Sequence, residues 1–101
     1  MITEIEKAYL DAVETSINLL VPWYLMAAYA YYEEDNPIMS DQTFDKCAKK
    51  LLNNWEQIEH MHKHYLNKDM LYAGTYIGEY PSRVEHAVGA LRGAYNDKQK
   101  R

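Results

Sequence analysis

Apolar residues Ile5, Ala8, Tyr9, Ala12, Val13, Ile17 and Leu20 recur at steps of three and four, the repeat of a helix with one buried stripe. The spacing predicts a first helix over Thr3 to Leu20, with Thr3 and Glu6 as a capping box. Pro22 interrupts the pattern, and because proline suits a first helical turn but not an interior, the helix is predicted to kink or restart there. From Trp23 to about Glu33 apolar residues point in nearly every direction, so this run is predicted to be the most buried part of the chain.

Asp35-Asn36-Pro37 ends that run, since a residue before proline is pushed out of the α region and Asp and Asn favour turns. Ser40 is the N-cap expected for a long helix from about residue 41 to about 67, with Asp41 opposing the helix dipole. Its apolar face holds Phe44, Ala48, Leu51, Leu52, Trp55, Ile58 and Tyr65, of which Phe44, Leu51, Ile58 and Tyr65 keep a heptad register. That register predicts an antiparallel helical hairpin over about 24–66. Gly74, Gly78 and Pro81 then make 67–80 an irregular connector; a short strand over Leu71 to Ile77 is conceivable but would lack a partner. A last helix, about 81–97, carries Val84, Ala87, Val88, Leu91 and Tyr95 on its apolar side, with Gly89 and Gly93 allowing a close approach. The expected fold is all-α and a single domain over 1–101: a kinked N-terminal helix, a hairpin, a connector and a packing C-terminal helix.

A chain of 101 residues lies near the lower limit at which one core sustains a fold without metal or disulfide. Ten tyrosines stand against one phenylalanine and two tryptophans, so much of the aromatic packing brings hydroxyls with it. Cys47 is the only cysteine, which excludes an internal disulfide and makes a cytoplasmic setting the expectation. The acidic start, M-I-T-E-I-E-K-A, does not read as a signal peptide. Residues 17–32 hold Pro22 and fall short of the roughly 20 residues that span a bilayer, so no membrane association is expected.

Residues 1–45 carry nine acids and the one base Lys7, a sum of −8; residues 46–101 carry six acids and ten bases, a sum of +4. A chain divided in this way can pair its halves, offer an acidic face to a basic partner, or set its basic tail (Lys98, Lys100, Arg101) on an anion. Overall acidity argues against generic nucleic-acid binding.

The richest chemistry lies between Tyr31 and Asp45, where Glu33, Glu34, Asp35, Asp41 and Asp45 accompany the rings of Tyr31, Tyr32 and Phe44. Carboxylates beside aromatic faces favour a cation, with ring attraction of roughly 0.5–2 kcal/mol; the plainer alternative is core rings, a dipole-serving Asp41 and a solvated Asp45. The string Y-Y-x-x-D-x-P-x-x-S-D-x-x-F-D-x-x-x-x-x-L, ending at Leu51, resembles the N-terminal helical domain of bacterial NAD-dependent DNA ligases, which clamps the nicotinamide mononucleotide half of NAD. The resemblance covers residues 24–52. It implies that Tyr31, Tyr32, Asp41, Phe44 and Asp45 take the nicotinamide-recognising positions, Phe44 standing where the family has tyrosine. No K-x-D-G adenylation motif occurs, and the length leaves no room for a nucleotidyltransferase domain, so the chain is expected not to be an enzyme.

Elsewhere Glu56, His60 and His64 are spaced by four, which on one helix would make a workable but incomplete metal-ligand set. His62 reads as a packed or interface histidine, Cys47 as an inert buried thiol, and Arg83 as able to meet an anion. Gly74 and Gly78 lack the spacing of a phosphate cradle. Two functional classes follow. One is a small non-catalytic interaction module of the kind carried by phages or mobile elements, docking a partner protein through Glu33, Glu34 and Asp35, with self-association also open. The other is a nicotinamide-nucleotide (NMN or NAD) binder or detached ligase fragment. The sequence tips toward the first, because half a nucleotide site should bind weakly.

Overall fold

The computed structural model describes the backbone of residues 4–76 and 78–100 and the side chains through residue 94. It is all-helical, with no strand among the described residues. Helix α1 spans Glu4–Thr15, α2 Leu20–Ala28, α3 Asp41–Asn53, α4 Lys68–Ala73 and α5 Ser82–Lys100. The expected cap at Thr3 and the side chain of Tyr95 lie outside the described residues.

α2 is the centre of the fold. Leu20, Val21, Trp23, Tyr24, Leu25, Met26, Ala27 and Ala28 are all buried, as its apolar circumference predicts, and burial of each large side chain contributes about 1.5–3 kcal/mol. α1, α3 and α5 supply the surrounding layers. α1 buries Ile5, Tyr9 and Val13, with Tyr9 edge-on to Trp23 at 5.6 Å. α3 folds back on α2 with Cys47, Ala48 and Leu51 inward, and α5 adds Val84 and Val88.

The break between α1 and α2 lies earlier than Pro22. Ser16 adopts an extended conformation and its hydroxyl accepts from Asn18 N–H at 3.3 Å, so the chain leaves the helix there. A 3-10 turn over Ile17–Leu19 follows. Pro22 then occupies the first turn of α2, where its missing N–H leaves no bond unmade.

The helix expected from 41 to about 67 ends at Asn53. Asn54 donates to Lys50 O twice, through its backbone N–H at 3.0 Å and its side-chain amide at 2.9 Å. Such local bonds give an Asn pair an alternative to continued helix. Ile58 is nonetheless buried, reached through a turn. Lys63 holds that turn, donating to Trp55 O at 2.6 Å and Ile58 O at 2.9 Å while lying 4.6 Å over the Trp55 ring.

The connector also departs from expectation. Residues 68–73 form α4 instead of strand, capped by Asn67 Oδ1, which accepts from Met70 N–H at 2.8 Å. Gly74 closes it in the left-handed region, φ 69°, a conformation that glycine adopts without steric penalty.

Candidate functional site

The end of α2 widens into a single π turn over Tyr29–Glu33. Such turns insert one extra residue into the helical ladder and recur at functional sites. Glu34 N–H donates to Tyr29 O at 3.2 Å and Asn36 N–H to Ala30 O at 2.9 Å. Asp35 takes φ 52°, a left-handed conformation in which Asp is several-fold enriched. Buried Ile38 and Met39 anchor the segment that follows. Ser40 then starts α3, its hydroxyl accepting from Thr43 N–H at 3.2 Å. Its own N–H donates to Glu6 Oε1 at 2.8 Å, so a buried carboxylate of α1 fixes the entry to α3.

This sequence of turns closes one cavity of about 170 Å³ lined by Ala27, Tyr31, Tyr32, Pro37, Met39, Asp41, Phe44, Asp45 and Gly74. All five residues proposed from the sequence for ring recognition lie on it. Tyr31 and Tyr32 meet edge to face at 4.9 Å and remain 45% and 43% exposed, so their rings are available to a ligand. Phe44 stacks on Tyr24 at 4.7 Å and 12°. Asp41 and Asp45 are exposed; Asp45 pairs with Lys49 at 2.9 Å on the surface, a contact worth at most about 1 kcal/mol.

The connector supplies the remaining wall. Thr75 receives Tyr24 Oη on its carbonyl at 2.6 Å and shares a hydroxyl–hydroxyl hydrogen bond of 2.9 Å with Tyr32. Burial pushes the Tyr24 hydroxyl well above its ordinary value, so it stays a donor. A Cβ on Gly74 would stand 3.4 Å from Asp45 Oδ1, in contact with the carboxylate. Pro37 belongs to the motif itself, whereas Ala27, Met39 and Gly74 carry no sequence signal for this site. They arrive by tertiary packing, and only the C-cap glycine after a short helix hints at a fixed corner.

The three acids expected to form one docking face are all exposed and make different contacts. Glu34 accepts from Arg92 Nε at 3.0 Å and Nη2 at 2.8 Å, and Arg92 also donates to Asn36 O. Asp35 occupies the turn. Glu33 lines a separate open cleft of about 390 Å³ with Tyr29, Glu79, Tyr80 and Glu85. Burial, then Glu33, pushes the Tyr80 hydroxyl up.

The Glu56, His60 and His64 alignment does not form, because 54–62 is not helical. Glu56 pairs with Lys68 at 3.3 Å, His60 lies against His62 at 5.4 Å and His64 against Tyr65 at 4.5 Å. No group of three or more metal-ligating side chains is gathered among the described residues. Cys47 is fully buried, and burial pushes its thiol up to about 12. No helix among the described residues is long and apolar enough to cross a membrane.

In comparisons with family models, with curated proteins and with solved structures, the chain matches none.

Proposed function

We propose that the cavity between the π turn and α3 binds a planar cationic ring, and that its ligand is the nicotinamide ring of NMN or NAD, held without catalysis. The observation that carries this reading is the convergence of Tyr31, Tyr32, Asp41, Phe44 and Asp45 on one cavity. Its volume supports a single ring: an apolar cavity of about 150 Å³ accommodates benzene, whereas pockets for whole drug-sized ligands run to about 300–1,000 Å³. The ring would enter, and ribose and phosphate would remain outside. A pyridinium carries positive charge, which the tyrosine faces and the two aspartates favour. The motif likeness to the ligase N-terminal domain points the same way, and the absent K-x-D-G motif fits binding without adenylation.

Titration of the isotope-labelled chain with NMN should move the amide resonances of Tyr31, Asp41, Asp45 and Gly74, with a Kd of about 1 mM, equivalent to roughly −4 kcal/mol. Tyr31→Ala should weaken binding about fivefold, and since Tyr31 is exposed, stability should change by no more than about 0.5 kcal/mol. The absence of any shift at millimolar NMN would refute the reading.

A second reading, an interaction module for a basic partner, is favoured by the Glu33, Glu79 and Glu85 cleft, whose lining contains no base among the described residues. Charge reversal at Glu33 and Glu79 should then abolish partner recovery; unchanged recovery on reversing Glu33 and Glu79 would eliminate that dock.

A further inference from the structure

A cavity of about 200 Å³ opens between the start of α2, the turn at 60–62 and the first turns of α5. Pro22, Met26, Met61, Val84 and Ala87 make its apolar lining, joined by His60, His62 and Arg83; no carboxylate lines it among the described residues. The start of α5 sorts its charges: Ser82 and Glu85 face the other cleft, where Glu85 accepts from Tyr29 Oη at 3.1 Å, while Arg83 borders this one. Arg83 enters no ion pair among the described residues. His62 N–H donates to His60 Nδ1 at 3.1 Å. An accepting ring nitrogen bears no proton, so the neutral His60 ring carries it on Nε2 and keeps that donor free for a ligand.

The geometry points to a binding site for a small hydrophobic carboxylate, its ring or chain on Pro22, Met26, Val84 and Ala87 and its charge on Arg83, with His60 as a further donor. A guanidinium presents a planar fork that matches a carboxylate. One arginine balances one negative charge, which favours a carboxylate over a phosphate monoester bearing about 1.5–2. The volume suits a ligand the size of benzoate, by comparison with the roughly 150 Å³ that holds benzene. Met26 and Ala87 also border the open groove of Ala90, Leu91 and Ala94, which gives a longer chain an apolar continuation.

The full-length chain, isotope-labelled, is titrated with benzoate, with its neutral counterpart benzamide and with inorganic phosphate, reading the amide resonances of His62 and Val84. Benzoate should saturate these shifts, with benzamide and phosphate each at least tenfold weaker. Arg83→Gln should reduce benzoate affinity to the level of benzamide and leave benzamide unchanged. Arg83 is exposed, and an unaltered urea midpoint verifies that the variant folds. Benzamide equalling benzoate, phosphate equalling benzoate, an unaffected Arg83→Gln variant, or no shift at all would each overturn the proposal.

Discussion

Cys47 and its neighbours show how burial sets chemistry in this protein. Desolvation outweighs the opposing effects of the Tyr9 hydroxyl and the Lys50 charge and pushes the thiol from 9.0 to about 12; its Sγ lies 4.0 Å from Leu20 O. The tyrosines Tyr9 and Tyr24 are displaced upward for the same reason. Each is a neutral acid that the fold keeps protonated after the unfolded chain has released its proton, so the unfolded state binds fewer protons and stability falls as pH rises. The urea midpoint should therefore hold steady up to about pH 9 and decline progressively toward pH 12. Cys47→Ala should lower the midpoint at pH 7 and make the decline shallower between pH 9 and 12. An equally steep decline in that variant would show that the thiol contributes nothing to it. Inertness at this position was legible from the apolar neighbours Phe44 and Leu51 along the helix. The long-range role of Glu6 was not: besides its place in the expected capping box, whose Thr3 lies outside the described residues, it is buried and receives the Ser40 N–H across 34 residues.

Among the helices, α3 shows both what a sequence states and what it conceals. Its start is written locally, in Asn-Pro and a serine cap followed by aspartate. Ser40→Ala should cost about 1 kcal/mol in urea unfolding and shift the Asp41 and Asp45 amides, because the cap orients the carboxylates at the cavity. An unchanged midpoint would mean that the Glu6 contact alone secures this entry. The end of α3 was concealed because Phe44, Leu51, Ile58 and Tyr65 keep a heptad register past the point where the Asn53-Asn54 pair closes the backbone on itself. Hydrophobic spacing reports which side chains go inward, and a turn can deliver Ile58 to the core as well as a helix can. The meeting of Tyr31, Tyr32, Asp41, Phe44 and Asp45 on one cavity was legible for the opposite reason: they flank one tight turn, where sequence neighbours are also spatial neighbours. Gly74 and Thr75 come from the far side of α4, and no local pattern announces so distant a meeting.

Among the described residues two ion pairs join the halves of the charge division, Lys49 with Asp45 on α3 and a strap from α5. Arg92 of α5 reaches Glu34 and Asn36, joining the basic second half to the acidic turn beside the ring cavity. Its side chain is 19% and that of Glu34 32% exposed, so the pair is only partly shielded from water and contributes on the order of 1 kcal/mol. Arg92→Ala should lower the melting temperature by about 4–8 °C for each kcal/mol lost in a chain of this size. Glu34→Gln, which keeps an acceptor for the guanidinium, should lower it less. Equal losses in the two variants would show that charge, and not the hydrogen-bonded bridge to Asn36, supplies the stabilisation.

The π turn at Tyr29–Glu33 has a genetic consequence. It accommodates one residue more than an α-helix would, so loss of a single codon there would restore the ordinary ladder without breaking α2. The chain beyond the turn would keep its register, and only the side chains within it, Tyr31 and Tyr32 among them, would be re-aimed about the axis while α2 stayed packed. A lineage could thus shed or regain the proposed ring site by one in-frame indel.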